Sequence, residues 1–554
     1  MPRPQSVPKR APPPDRLGSA LTATASGPTV TGGEALSRPR GSLRWAASAV
    51  RRHWLLVCLL AGGAVLRVMA QAAYRPALIY IDSYRYLGHL LSLDPHGLDP
   101  IGYDALVLRP LLAVGGLHLV TAVQHLTGLA MAVAIYVLLV HRGAWRWLAA
   151  LATVPVLLDA YQVQIEQNIM SDEPFQVLLV ALVVVLAWRR RPGPVLAGLA
   201  GVLLAALASV RLVALPLVVP VIIYLVVVAG PWRDRAAWVR RAVTVAAAGG
   251  LFALGIVGYA AYYRSWTGRW ALSPSQNYML YGQLATFADC AALPLSPLER
   301  ALCPAPPVGQ RRGADYYSHA PASPLNRPPV STLPLDQRNA VVDGFNATVE
   351  AHQPFDLAGA VAIDFLKGFR WRMVTAPGDP PVQRWQFQTS YPAYPRVRPP
   401  PDAQVQTVSF LRRLGYPGYT VVHPLAVALR AYQLSVGYVP GTLLGLMGLI
   451  GVAGIVTPRR RRPQLRAVCF LVCALDLTLL VVAAIPEFSW RYQLPSLVLL
   501  PLAGALGVVA WRRPEDPRTG PPPGGGEAGT GDPARHAPEG SAGNAGAGRA
   551  TRGG

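Results

Sequence analysis

Four short stretches bring acids, arginines and aromatics together at spacings that could serve chemistry on a polar substrate. In Tyr80-Ile81-Asp82-Ser83-Tyr84-Arg85-Tyr86 a carboxylate lies beside a guanidinium and phenol rings. Such an acid either caps a following helix or acts as general base toward a hydroxyl, an effect of about 10² to 10⁴ in rate. A second group runs from Glu166-Gln167-Asn168 to Ser171-Asp172-Glu173-Pro174. A Ser followed by acids and a Pro reads as a helix start, while the two adjacent acids could also hold an acceptor or a divalent metal ion. Arg211 interrupts an apolar run. At a membrane such a charge must snorkel, pair with an acid such as Asp82 or Asp172, or meet a phosphate, whose oxygens suit the guanidinium fork. The fourth stretch is Pro486-Glu487-Phe488-Ser489-Trp490-Arg491-Tyr492, leading to Leu494-Pro495. Trp490 and Tyr492 fit an interfacial aromatic belt, but Arg491 does not.

The elements that must position these residues are membrane spans. Of 554 residues, 52% are hydrophobic and 14% charged, too apolar and too long for one soluble core. About 20 apolar residues cross the hydrocarbon region. Ten segments meet or approach that length: residues 54 to 72, 118 to 140, 148 to 164, 174 to 188, 194 to 211, 213 to 230, 242 to 263, 433 to 456, 467 to 485 and 492 to 511. Threading ten spans puts Arg51-Arg52, Arg142 with Arg146, Arg189 to Arg191, Arg233 to Arg241, Arg459 to Arg466 and Arg512-Arg513 on one side. The positive-inside rule makes that side the cytoplasm and predicts a multi-pass protein of the cell membrane with both termini cytoplasmic. It also accounts for the net charge of +23 without nucleic acid as a partner, since the arginines flank spans instead of forming one basic face. All four reactive stretches then fall at the outer face.

The expected fold class is an all-α polytopic membrane protein of about ten transmembrane helices with one large extracytoplasmic loop. Residues 1–53 and 512–554 are expected to be disordered cytoplasmic segments, having too few apolar groups to offset ordering entropy. Residues 54–263 form a first membrane domain containing a candidate catalytic loop, 73–117. Residues 264–432 form the outer loop domain, with a helix predicted over 339–373, and 433–511 hold the last spans. In loop 73–117, Asp94, Asp99 and Asp104 follow Asp82, and Leu106 to His118 is weakly amphipathic, as in an interfacial helix. Cys290 and Cys303 share the outer loop and are a disulfide candidate, because that compartment permits oxidation. The scarcity of lysine and abundance of Ala, Gly, Pro and Arg suggest a high-GC bacterial genome. There is no Walker loop, dinucleotide fingerprint, HExxH or strand-end GxSxG.

The order of these features resembles the GT-C superfamily of polyprenyl-phosphate-sugar-dependent glycosyltransferases, the group with protein O-mannosyltransferases and the lipid A aminoarabinose transferase. The resemblance spans about residues 54 to 511. It rests on Asp82 with Tyr86 after the first span, Glu173-Pro174, Arg211 followed by an apolar run to Pro220, and Arg491-Tyr492 before Pro495. It implies a GT-C-like fold and inverting transfer of a sugar from a polyprenyl-phosphate donor to an outer acceptor: a cell-envelope glycan, a lipid or a protein. Asp82 would deprotonate the acceptor, Arg211 and Arg491 would meet the leaving phosphate, and Asp172 and Glu173 would match a second acidic loop. Arg85, Tyr86, Glu487 and Tyr492 complete the candidate substrate-binding set, and membrane lipids are the other expected partner. Asp82 is followed by Ser83, where O-mannosyltransferases carry an Asp-Glu pair. No cofactor is therefore implied with certainty, and Asp172 and Glu173 are the candidates should a divalent ion bind. Two readings compete: a secondary transporter or lipid flippase, which would carry ionisable groups at mid-membrane, and a non-catalytic envelope scaffold.

Overall fold

The computed structural model describes residues 50–90, 92–390, 418–458 and 463–512, with Ser48, Arg412, Gly415 and Tyr416 besides. Nearly all of the two tails, part of the outer loop and part of the Arg459 to Arg466 cluster lie outside these residues.

Helices dominate. Five are long and apolar enough to cross a membrane: Trp54–Ala73, Leu117–His141, Arg235–Thr267, Gln464–Ala484 and Trp490–Trp511. A bent pair, Arg146–Leu158 with Ala160–Gln167, raises the number to six if it forms one span. Pro194–Val210, Leu212–Val228 and Gly441–Ile455 are shorter apolar helices, and Asp172–Trp188 adds 17 residues. Ten uninterrupted spans are therefore not what forms, and each break has a local cause.

The predicted segment 148–164 bends by 50° at Asp159. That residue is extended and caps the next helix, accepting from the Tyr161 N–H at 2.8 Å. The other Asp159 oxygen accepts from the Val439 N–H at 2.7 Å. That contact pins a second break, where the predicted segment 433–456 divides into His423–Ser435 and Gly441–Ile455. Pro440 is the cap there, and proline disfavours helical backbone in the residue before it. At Arg211 the backbone is extended between Pro194–Val210 and the 3-10 turn Leu212–Leu217.

Exposure separates lipid-facing helices from central ones. Only 11% of the best apolar window of Arg235–Thr267 is buried inside the protein, against 83% for Trp490–Trp511. Leu254 and Val257 stand open on the former, an apolar surface that a bilayer covers. The central helix packs through small residues. A Cβ added at Gly507 would come within 2.2 Å of the Ile450 carbonyl oxygen, an approach typical of membrane helix pairs. In the first turns of Arg235–Thr267, Arg241 lies 4.0 Å from the ring of Trp232 in the preceding turn and donates to the Val226 carbonyl at 3.0 Å.

Outside the spans, helices Asn277–Leu284, Ala314–His319, Leu335–His352 and Pro354–Lys367 build a separate core around Tyr281, Leu302, Tyr317 and Phe345. The single helix predicted over 339–373 is instead two, because Pro354 supplies no N–H to continue the ladder and Gln353 leaves helical geometry. The loop returns to the membrane domain through a two-residue antiparallel pair, Tyr74 opposite Val421 and Arg75 opposite Thr420.

Cys290 and Cys303 are joined in a disulfide with Cα atoms 6.2 Å apart, packed against the outer core. Closing a loop of this length restricts the unfolded chain, a gain of about 3 kcal/mol. Cys290→Ser is therefore expected to lower the melting temperature of the outer region, and thiol labelling of the native protein should modify neither cysteine until a reductant is added.

Candidate active site

Each reactive stretch of the sequence sits where a helix begins, ends or breaks. Asp82 lies in the first turn of Ile81–His89, Asp172 opens Asp172–Trp188, Arg211 fills the extended break after Val210, and Arg491 lies in the 3-10 turn Trp490–Gln493 before the last helix. Side chains there leave the helix axis, which lets residues distant in the chain converge.

Arg491 is the meeting point. Its Nε donates to Asp172 at 2.9 Å (Oδ1) and 3.0 Å (Oδ2), its Nη2 lies 2.8 Å from Asp172 Oδ2, and its Nη1 is paired with Asp82 Oδ2. Arg211 pairs with Asp172 Oδ1. The other Asp82 oxygen accepts from Arg85 Nη2 at 2.9 Å, and Arg85 Nε donates to Asp99 Oδ2 at 2.5 Å. Burial alone would raise the Asp82 carboxyl, but the guanidinium groups of Arg491 and Arg85 outweigh it and hold Asp82 below the usual carboxylate range. Tyr86 braces the cluster, its hydroxyl 2.8 Å from Ser171 Oγ and its ring edge-on to Tyr103.

These groups line one wall of a cavity of about 750 Å³, partly open to the outside. Asp82, Arg85, Tyr86, Arg211, Glu487, Arg491 and Tyr492 all contribute to it. The opposite wall comes from the region between residues 264 and 390 and was not anticipated: Tyr278, Asp315, His319 and Arg384. The one signal for it was the Asp315 to His319 spacing, which puts both on one helix face. His319 Nδ1 lies 3.4 Å from Asp315 Oδ1, and Arg384 Nη2 lies 3.8 Å from Asp315 Oδ2. The His319 hydrogen bond lowers the Asp315 carboxyl, and in return Asp315 raises the imidazole, favouring its charged form. Glu487 differs from its neighbours. Burial first, then the Asp315 charge, push its carboxyl up to about 7.

Glu173 does not join this set. Successive helix residues are about 100° apart, so with Asp172 turned to the arginines Glu173 faces inward, where Thr127 Oγ1 donates to it at 2.6 Å. Nearby, Arg67 is paired with Glu166 at 2.7 Å, and His125 Nδ1 lies 2.9 Å from the other Glu166 oxygen. That network is internal to the helices, and it accounts for the first part of the second acidic stretch.

The same divergence decides the metal question on donor chemistry. Asp172 and Glu173 cannot face one ion, and both Asp172 oxygens are committed to guanidinium groups. Among the described residues no three His, Cys, Asp or Glu side chains form a metal-binding group. The residues do not fit a divalent ion. Asp476, the acid within a span, accepts from Ser496 at 2.8 Å and faces no cavity of this site.

No protein-family model matches the chain, and no curated protein matches it. Among solved structures, a protein O-mannosyltransferase complex of S. cerevisiae bound to its sugar donor aligns with a TM-score of 0.33 and 16% identity, over 47% of this chain. The chain spans 38% of the length of that protein.

Removing one member of a buried ion pair strands its partners, at a cost of about 3–5 kcal/mol. Arg491→Gln leaves two carboxylates without that guanidinium and should lower the melting temperature of the detergent-solubilised protein by several degrees. Adding Asp172→Asn should return part of the loss, because one stranded charge is then gone.

Proposed function

We propose that this chain is a membrane glycosyltransferase of the GT-C type, moving a sugar with inversion from a polyprenyl-phosphate donor to an acceptor on the outer side of the membrane. The observation that carries the reading is the convergence of Arg85, Arg211 and Arg491 on one cavity, with Arg211 and Arg491 at the ends of apolar helices. Guanidinium groups in that position match an anionic headgroup whose lipid tail stays in the bilayer. The topology that goes with it has about ten membrane-crossing segments, counting the short and broken helices, with both termini cytoplasmic and residues 264–432 outside.

In the reaction, the acceptor hydroxyl gives its proton to a carboxylate of the cavity, and its oxygen forms a bond to the anomeric carbon as the bond from that carbon to the phosphate oxygen breaks. The electron pair leaves with the polyprenyl phosphate. The charge that develops there is met by Arg211 and Arg491, already aimed and mostly buried, and preorganised cations of this kind stabilise such charge most. Asp82 is a positioning carboxylate of this centre: it holds Arg85 and Arg491 in register. Asp172 does the same for Arg211 and Arg491. Tyr86 and Tyr492 shape the wall around them.

The test is transfer of label from a panel of radiolabelled polyprenyl-phosphate sugars to a crude envelope extract. The wild-type protein should transfer from at least one donor, and Asp82→Asn should be slower by about 10²-fold, the scale of misplaced catalytic groups. Undiminished transfer by the variant would remove Asp82 from the mechanism. Because the donor set does not suit a divalent ion, EDTA should leave the rate unchanged, and a rate lost to EDTA and restored by a metal salt would contradict the site as described.

A further inference from the structure

We infer that Glu487, and not Asp82, takes the proton from the acceptor hydroxyl, an assignment that rests on the transfer reaction proposed above. A general base must present an oxygen to the acceptor. Asp82, Asp99 and Asp315, the other carboxylates lining the cavity, are each held in an ion pair: Asp82 by Arg85 and Arg491, Asp99 by Arg85, Asp315 by His319 and Arg384. Glu487 lines the same cavity, is 91% buried, and makes no ion pair or hydrogen bond among the described residues. Its Oε2 is fully covered and has no hydrogen-bond partner, so the oxygen that meets the acceptor is the other one, Oε1, on the side of the residue that lines the cavity.

Position supports the role. Glu487 precedes Arg491 by four residues in one turn, so the base and the cation for the leaving phosphate are carried on the same short segment. Tyr278, on helix Asn277–Leu284, lines the same cavity as Glu487 and Asp82, so the two acids border one space. In the transfer step a Glu487 oxygen takes the hydroxyl proton, the hydroxyl oxygen bonds to the anomeric carbon, and the pair from the broken carbon–oxygen bond goes to the phosphate. The proton then leaves through the open side of the cavity.

A base is most effective when its pKa lies near the working pH, and the value of about 7 for Glu487 meets that condition while Asp82 is held low. The charged groups around Glu487 are Asp315, His319 and Arg384 from the outer wall, and Asp364 with Lys367 from helix Pro354–Lys367. Tyr278 and Tyr492 flank it, and Asp379 lies beyond Lys367. His319 and Asp315 pair with each other, so below neutrality the carboxyl of Glu487 is the group whose loss of charge stops proton transfer.

The experiment is the transfer rate against pH, from pH 5 to 9, for the wild type, Glu487→Gln and Asp82→Asn, using whichever polyprenyl-phosphate sugar the wild type accepts. The wild type should gain about tenfold per pH unit below 7 and level off above it. Glu487→Gln should be at least 10²-fold slower and flat with pH, while binding unlabelled polyprenyl phosphate as the wild type does, because the arginines are untouched. Asp82→Asn should be slow yet keep the rise toward pH 7. A wild-type rise retained in Glu487→Gln, or abolished in Asp82→Asn alone, overturns the assignment and returns the proton to Asp82. If Glu487→Gln fails to accumulate, Glu487→Asp decides: a slower enzyme that keeps a rising limb supports the role, and an unchanged rate refutes it. A wild type that transfers from no donor at all removes the reaction itself, an outcome separable from any effect at Glu487.

Discussion

A buried guanidinium cannot remain without counter-charge, and the structure is organised around satisfying Arg491. Moving such an ion out of water costs several kcal/mol even after relaxation. Arg491 recovers this through Asp172 and Asp82, residues 319 and 409 positions away in the chain. Those two acids must therefore sit at fixed places, which in turn fixes where Ile81–His89 and Asp172–Trp188 start. Arg211 extends the constraint, because it shares Asp172 and so determines where Pro194–Val210 must end. Four separate helix termini are tied to one electrostatic knot.

The interruptions in the membrane helices follow the same logic. A helix end leaves backbone groups unsatisfied, and these are tolerated at membrane depth only where protein or water meets them. Asp159 supplies such a partner twice, to Tyr161 and to Val439, and joins two broken segments through one carboxylate. Gln176 does comparable work deeper in the bundle, donating to the Leu494 carbonyl at 2.7 Å and so linking the second acidic stretch to the last helix. Breaks and buried polar groups are thus one design, placing polar side chains on a common face.

Much of this was legible in the residues. Apolar length revealed the membrane class, and Arg211, Asp172, Asp82 and Arg491 stood out because charge beside an apolar run demands a partner. For Arg211 the residues narrowed the partner to Asp82 or Asp172, and it takes Asp172; the other pairings could not be read, since they depend on helix packing and rotation. Glu173 shows the difficulty: adjacent to Asp172 in sequence, it faces Thr127 and not the cavity. The outer wall was less visible still. Asp315, His319 and Arg384 lie in a loop rich in Pro and polar residues with no apolar period to mark which face is turned inward. The bend at Asp159 carried a local signal, a capping acid, that the length criterion for spans overrode, and the break at Pro354 carried its own in the proline.

The ion-pair network beside the cavity gives the arginine wall its chemical meaning. Three guanidinium groups, Arg85, Arg211 and Arg491, meet three carboxylates, Asp82, Asp99 and Asp172. On the proposed transfer, an arriving phosphate would find cations already held in place and partly buried, with the acids acting as ligands it can displace in part. The exchange trades one set of charge-assisted hydrogen bonds for another within the same low-dielectric space, so little solvent must reorganise as charge moves onto the leaving oxygen. An isolated set of arginines would offer stronger binding of the ground state but would repel itself in the absence of ligand. Pairing them with acids gives up some of that ground-state affinity and keeps the groups ordered, and the interactions that strengthen as the phosphate leaves are those that accelerate the step.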